Sequence, residues 1–253
     1  MTMWNIFRNA LFLMLCAVIL IACHSPQTLV NKDFESTQLN ARNPEDSIVV
    51  KMINPYKQVL DNSMQEIVGK IPQTLLKEAP EGTLNNFIAD ALLSNYFSVN
   101  NYDSAISAQC CVLNLGGIRL NELPAGDLTV GKCFELLPFE NKLVVIPITG
   151  SQIQALLDLV ASNKGWPIAG IRMQIQNAKA INVLINGKPL VFDQNYRLLT
   201  NDYMANGGDN CSMLSTAPQT ILNLTMRDAF IQYCRNKFKL NQPLTAVKDG
   251  RIK

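Results

Sequence analysis

Histidine is nearly absent from this 253-residue chain, in which His24 stands alone. A hydrolase that holds its own catalytic metals draws on several His and Asp ligands, so a single histidine argues against such a centre here. Surplus charge is missing as well, since 22 Lys and Arg face 20 Asp and Glu. No basic stripe runs along any segment, which argues against binding a nucleic-acid polymer through its backbone. Neither an internal repeat nor a low-complexity tract is present, and no cysteine pair has the spacing of a zinc site. The apolar run at residues 11–21 is too short to cross a bilayer as a helix.

What the chain does have begins with a leader. Arg8 precedes that apolar run, which has the length of a signal-peptide core and ends in Leu20-Ile21-Ala22-Cys23. This ending resembles the lipobox of bacterial lipoproteins. The resemblance implies a signal peptide at residues 1–22 and a lipidated N-terminus at Cys23. The protein would then be held on the extracytoplasmic side of a bacterial cell envelope, at the outer membrane or in the periplasm. Buried methylenes contribute roughly 0.8 kcal/mol each, so several acyl chains on one Cys would anchor the protein to the membrane without a spanning helix. The plainer alternative is an ordinary secretory signal in which Cys23 is incidental. Residues 23–45 are polar, lack periodicity and contain Pro26 and Pro44, which predicts a flexible tether. Residues 46–253 show regular apolar patterning and are long enough for one domain with its own core.

Beyond Cys16 and Cys23 there remain Cys110, Cys111, Cys133, Cys211 and Cys234. Outside the cytoplasm an odd number leaves at least one unpaired. The expectation is that most are small buried apolar residues, with at most one or two disulfides among them.

Helical spacing recurs at Leu84, Phe87, Ile88, Ala91 and Leu92 behind Thr83, a candidate N-cap. Ser151 with Gln154, and Thr225 with Asp228, match capping boxes ahead of apolar stripes, and Tyr56, Val59, Leu60 and Ile67 predict a helix after Pro55. Ile181, Val183 and Ile185 precede Asn186-Gly187, and Leu190 and Phe192 follow it, which is the pattern of a β-hairpin. Further strands are predicted at residues 111–115, 143–148, 168–175 and 196–200, with Pro147 pushing its strand towards an edge or a bulge. Strands that come both singly between helices and as a hairpin predict an α+β fold, a mixed β-sheet packed with helices.

Three runs carry the polar and glycine-rich residues of a candidate site. In Asn114-Leu115-Gly116-Gly117-Ile118-Arg119 the glycines let backbone N–H groups approach a ligand, and a guanidinium can meet phosphate oxygens with paired charge-assisted bonds. The plain alternative is a tight turn with a structural Arg. Asn201-Asp202-Tyr203-Met204-Ala205-Asn206-Gly207-Gly208-Asp209 places a ring that can stack on a base beside a carboxylate that can accept from ribose hydroxyls or base amines. Its alternative is a buried Tyr and a turn-capping Asp. Leu137-Pro138-Phe139-Glu140-Asn141 adds a second aromatic and an amide, though Phe is ordinarily a core residue.

Taken in order behind Gly82-Thr83-Leu84-Asn85-Asn86-Phe87-Ile88-Ala89-Asp90-Ala91, these runs resemble the C-terminal domain of the 5'-nucleotidase and UDP-sugar hydrolase family. The resemblance spans nearly all of the globular part. It implies that Phe139 and Tyr203 clamp a nucleobase, and that Asn114, Asn141 and Asp209 bond the base or ribose. Arg119 would stabilise the phosphate, while Gly116, Gly117, Gly207 and Gly208 shape the walls. Stacking is worth about 1–3 kcal/mol per base and tolerates any base, so the implied ligand is a nucleotide or nucleoside of unspecified base. In full-length relatives a metallophosphatase domain precedes this one, and its two metals activate water. The resemblance therefore implies no catalytic residue and no cofactor in this chain. It implies instead a recognition subunit of a split 5'-nucleotidase, with divalent metals held by a separate metallophosphatase partner, in nucleotide scavenging. The alternative is a lipoprotein that captures nucleotides or nucleosides without catalysis, or serves as a scaffold. Three departures from the family pattern bear on binding. Leu115 stands where a third Gly is common and is expected to narrow the phosphate loop, and Asn85 replaces another common Gly. An upstream Arg gives way to Lys77-Glu78-Ala79-Pro80-Glu81, where only Lys77, out of register, offers a basic contact.

Overall fold

The computed structural model describes residues 3–4, 14, 45–98 and 108–253. The expected signal peptide, Cys23, His24 and the expected tether up to residue 44 lie outside the described residues, apart from positions 3, 4 and 14. By contacts the chain divides into Met1–Val50 and Lys51–Lys253, and the second unit carries the fold.

Helix α1 is Ser47–Met64. It starts well before Pro55 because Asp46 caps it, accepting from the N–H groups of Ile48 and Val49 at 2.8 and 3.3 Å. Most of its apolar residues, Ile48, Met52, Tyr56, Val59 and Leu60 among them, are exposed, while Met64 at its end is partly buried. Ile67, expected in the same helix, instead opens strand β1, Ile67–Ile71. There follow β2 (Leu75–Leu76), α2 (Thr83–Ser98), β3 (Cys110–Val112), β4 (Glu122–Leu123), β5 (Gly126–Thr129) and α3 (Val130–Leu136). Next come β6 (Lys142–Thr149), α4 (Gly150–Ser162), β7 (Ile168–Ala169), β8 (Ile171–Gln176), β9 (Lys179–Ile185) and β10 (Lys188–Pro189). The chain then forms β11 (Asn195–Asn201), α5 (Asp202–Ala205), β12 (Thr220–Thr225) and α6 (Met226–Lys239).

A five-stranded sheet in the order β12-β6-β11-β3-β7 organises the molecule, beside a three-stranded sheet β10-β9-β8 and the pairs β1-β5 and β2-β4. Only β11 and β3 run parallel in the large sheet, so the fold is α+β with a mixed sheet. Because side chains alternate across a strand, the large sheet feeds two cores. Cys111, Leu143, Val145 and Leu199 face one, filled by α2, α3 and α6. Cys110, Val112, Val144, Ile146 and Leu198 face the other, filled by α4 and the three-stranded sheet. The vicinal cysteines therefore point into opposite cores. Cys110, Cys111, Cys133, Cys211 and Cys234 are all buried free thiols. Burial pushes the Cys110 and Cys133 thiols up to about 12.

Several local expectations change for identifiable reasons. The capping box of α4 is Thr149 with Gln152, not Ser151 with Gln154. Strand β6 runs into the helix without a linker, so its last residue becomes the cap, and Gln154 turns to Asp158 and Ala180 O. Thr225 does cap α6, accepting from Asp228 N–H at 3.0 Å. Thr83 is the first residue of α2, and its hydroxyl accepts from Leu76 N–H at 2.8 Å. The single strand expected at 168–175 is two strands in two sheets, broken at Gly170, whose φ is +71°. The strand predicted through Leu115 ends at Val112, and Leu115–Gly117 is a 3-10 turn. Pro147 sits on a strand with neighbours on both sides, but the pairing with β12 ends at Val145, so no ladder needs its missing N–H. The hairpin turn at Asn186-Gly187 has φ +49° and +77°, the type I′ geometry that the pair favours.

Candidate functional site

Strands β3 and β11 run parallel side by side, so their carboxyl ends deliver neighbouring loops. Asn201 ends β11 and caps α5, its Oδ1 accepting from Met204 N–H at 2.9 Å. Its amide donates to Asn114 Oδ1 at 3.0 Å, and Asn114 Nδ2 donates to Asp209 Oδ2 at 2.8 Å. The Tyr203 hydroxyl closes the chain by donating to Asp209 Oδ1 at 3.1 Å. With Asn201 fully buried, this network fixes which way the Asn114 amide faces. Asn201 was not among the sequence candidates as a site residue, and its signal is that of a helix cap, Asn at the end of a strand ahead of a short helix.

The turn that returns Asp209 to Tyr203 depends on glycine. Gly207 has φ +92°, and a Cβ on Gly208 would lie 2.6 Å from the Tyr203 ring and from its carbonyl oxygen. Tyr203 therefore rests on bare backbone.

The loop between α3 and β6 carries Phe139 and Asn141, and Arg227 on α6 holds it. The buried guanidinium lies 3.9 Å over the Phe134 ring, donates to Leu137 O and Pro138 O at 3.4 and 3.3 Å, and pairs with Glu140. Sequence reasoning missed Arg227. A cation in the first turn of a helix opposes the helix dipole, and that is the one sign in the sequence that it has other partners.

These loops surround a cavity of about 300 Å³ lined by Asn114, Gly116, Gly117, Phe139, Asn141, Tyr203 and Asp209. Phe139 and Tyr203 are each 46% exposed. Of the remaining candidates, Gly207 and Gly208 shape the turn behind Tyr203 without lining the cavity. Arg119 is also outside the lining, with Cζ 5.8 Å from the Phe139 centroid. Leu115 does not narrow the loop: it packs against the second core and is absent from the lining. Asn85 is buried and donates to Glu78 O at 3.0 Å, at the start of α2. Lys77 donates to Ile118 O at 2.9 Å, and burial, seconded by the charge of Arg119, holds its pKa below the usual lysine range.

Two aromatic rings, two amides, glycine backbone and a carboxylate with both oxygens already bonded offer a ligand stacking and hydrogen-bonding groups. The lining contains no His, Cys, Ser or Lys to act as nucleophile or base. Among the described residues no group of three His, Cys, Asp or Glu is placed to hold a metal ion, so the lining does not fit a metal centre. Nor, among those residues, is any helix long and apolar enough to cross a membrane.

The family profile described as 5'-nucleotidase, C-terminal domain, matches residues 67–216. A 5'-nucleotidase of Vibrio vulnificus (strain CMCP6) is 30% identical over 179 residues, which are 69% of this chain and 31% of that protein. A trifunctional nucleotide phosphoesterase of Bacillus subtilis (strain 168) is 29% identical over 223 residues, 79% of this chain and 15% of that protein. Among solved structures, a 5'-nucleotidase precursor from Thermus thermophilus superposes with a TM-score of 0.67 at 27% identity, covering 83% of this chain and 43% of that one. The chain thus spans less than half the length of each of these relatives.

Proposed function

The chain belongs to the 5'-nucleotidase C-terminal domain family, and from that membership we infer that its cavity receives a nucleotide, the base between Phe139 and Tyr203 and the phosphate towards Arg119. The observation that supports this reading is the convergence of Asn114, Phe139, Asn141, Tyr203 and Asp209, from three separate loops, on one cavity. Such a site binds without reacting, so hydrolysis of the phosphate ester falls to a metallophosphatase on a separate polypeptide. The single histidine of the sequence supports that division. In the same reading residues 1–22 are a signal peptide, Cys23 carries the lipid, residues 23–45 form the tether and residues 46–253 the recognition domain, outside the cytoplasm.

Calorimetric titration of the purified full chain in detergent with AMP, adenosine and UDP-glucose tests the site. Binding without added metal that favours the phosphorylated ligands is the expected result. If none of the three binds, the scaffold alternative replaces nucleotide recognition. AMP hydrolysis by the pure chain with divalent metal, surviving purification and chelator controls, would overturn the division of labour.

A further inference from the structure

Helix α1 is amphipathic, yet none of its residues is fully buried. Ile48, Met52, Ile53, Tyr56, Val59 and Leu60 recur at spacings of three and four, and all are exposed, Tyr56 at 77%. At 3.6 residues per turn the apolar arc from Ile48 round to Met64 covers roughly 160° of the helix and contains no charged residue. Lys57 borders the arc on one side, Lys51 stands towards the other, and Asp61 lies between them on the opposite face. Such a helix needs a cover. Pro55 inside it removes an internal hydrogen bond, and short helices draw their stability from a packed apolar face rather than from propensity. Among the described residues, Met64 alone of α1 packs against a core. The arc is broader than the seam of a two-helix pair, which uses two positions in seven, and it suits a flat apolar surface. Lysines at its margins can lay their stems on that surface and keep their charges in water. The chain ahead of α1 points to which surface this is. It leads back to Cys23, and a tether at residues 23–45 has an r.m.s. reach of about 25 Å. That is close to the length of α1 itself at about 1.5 Å per residue, so a lipid on Cys23 holds the helix within its own length of the bilayer.

We propose that α1 lies on the lipid bilayer, with its apolar arc in the acyl boundary and Lys51 and Lys57 at the headgroups, as a second attachment that keeps the recognition domain close to the membrane. This rests on reading Cys23 as a lipidated N-terminus and is independent of what the cavity binds. The surface recognised is the interface of a phospholipid membrane, and burial of the arc there replaces the packing that α1 lacks on its own domain.

The test places a tryptophan on either face of α1 in the full chain, in vesicles of phosphatidylethanolamine and phosphatidylglycerol with and without brominated acyl chains. Tyr56→Trp lies in the middle of the arc and Gln58→Trp on the opposite face. Both positions are exposed, so melting temperatures should match wild type, which also supplies the background of the native tryptophans. Brominated vesicles should quench most of the added emission of Tyr56→Trp and leave that of Gln58→Trp unchanged. Added emission that stays unquenched in both variants, in chains that float with the vesicles, would overturn the proposal. A blue-shifted but unquenched Tyr56→Trp would overturn it too, by placing protein on the stripe, and a shift that depends on concentration would identify that protein as a second copy. Mass spectrometry of the N-terminal peptide tests the reading beneath. If Cys23 carries no acyl group, the lipoprotein reading fails by itself. Quenching of Tyr56→Trp on added vesicles would then sustain the membrane helix alone, and its absence would sink both.

Discussion

Tyr203 is held at its hydroxyl by Asp209 and along its ring by the bare backbone of Gly208, which leaves the ring nearly half exposed at the cavity. A ring so placed contributes little to the core, so Tyr203→Ala should leave the melting temperature within a few degrees. It should weaken AMP and adenosine alike, by about 1–3 kcal/mol in calorimetry. Unchanged affinity would show that no base stacks there. Gly208→Ala tests the support from the other side. A Cβ 2.6 Å from the ring and from a carbonyl must displace one of them, so overpacking should cost about 1–3 kcal/mol of stability and weaken nucleotide binding in the same variant. The residues lining the cavity could be named from the sequence because their runs, taken in order, resemble the motifs of the family, whereas each run alone fitted a turn or a core residue equally well. Asn201 and Arg227 were not legible as site residues. The first acts through Asn114 and the second through a loop nearly ninety positions away, and neither relation has a local pattern.

Helices and the hairpin were read from the sequence at the level of elements because capping residues and turn dipeptides act locally. The boundaries that moved did so where a neighbour in space decided. Strand β6 hands Thr149 directly to α4 as its cap, and Gly170 breaks one apolar run between two sheets, its Cβ position only 2.6 Å from Gln109 O. Sheet order and the parallel pairing of β3 with β11, which sets the two main loops side by side, follow from tertiary contacts that no single run encodes. The same distinction predicts how elements respond to change. Helix α1 contributes no buried residue, so removing residues 1–60 should leave the domain's denaturant midpoint almost unmoved. A large loss would mean that the apolar stripe of α1 packs on the domain in solution. Arg227→Met should behave oppositely. It abandons Leu137 O, Pro138 O and Glu140 together, and hydrogen bonds to charged groups are worth about 1.5–3 kcal/mol each, so both stability and AMP affinity should fall.

The two cores lie on opposite faces of one sheet, and residues 249–252 join structures on both sides. Arg251 forks onto Asp90 of α2 at 2.7 and 2.9 Å and donates to Ile168 O of β7 at 2.8 Å. Its carbonyl accepts from Met173 N–H on β8 at 2.8 Å, and Ile252 is buried in the second core. Asp249 adds Glu81 through its N–H and Arg172 through its carboxylate. One short segment thus ties the helix of the first core to the small sheet of the second. Burial alone would raise the Asp249 pKa, but the hydrogen bond and charge of Arg251, with the charge of Arg172, outweigh it and hold the carboxyl below its usual value of 3.8. A carboxyl with a lowered folded pKa stabilises the fold at pH values above its unfolded pKa, and that contribution disappears as pH falls through the folded value. Arg251→Met should therefore lower stability at neutral pH by about 2 kcal/mol or more, since the abandoned hydrogen bonds are charged. The deficit should shrink as pH drops below about 4, where the wild type loses the ion pair of Arg251 with Asp249. Denaturant titrations of both proteins between neutral pH and about pH 3 measure this convergence. A deficit that stays constant with pH would locate the value of Arg251 in its bond to Ile168 O and its packing, and would remove charge from the account of how the two halves are joined.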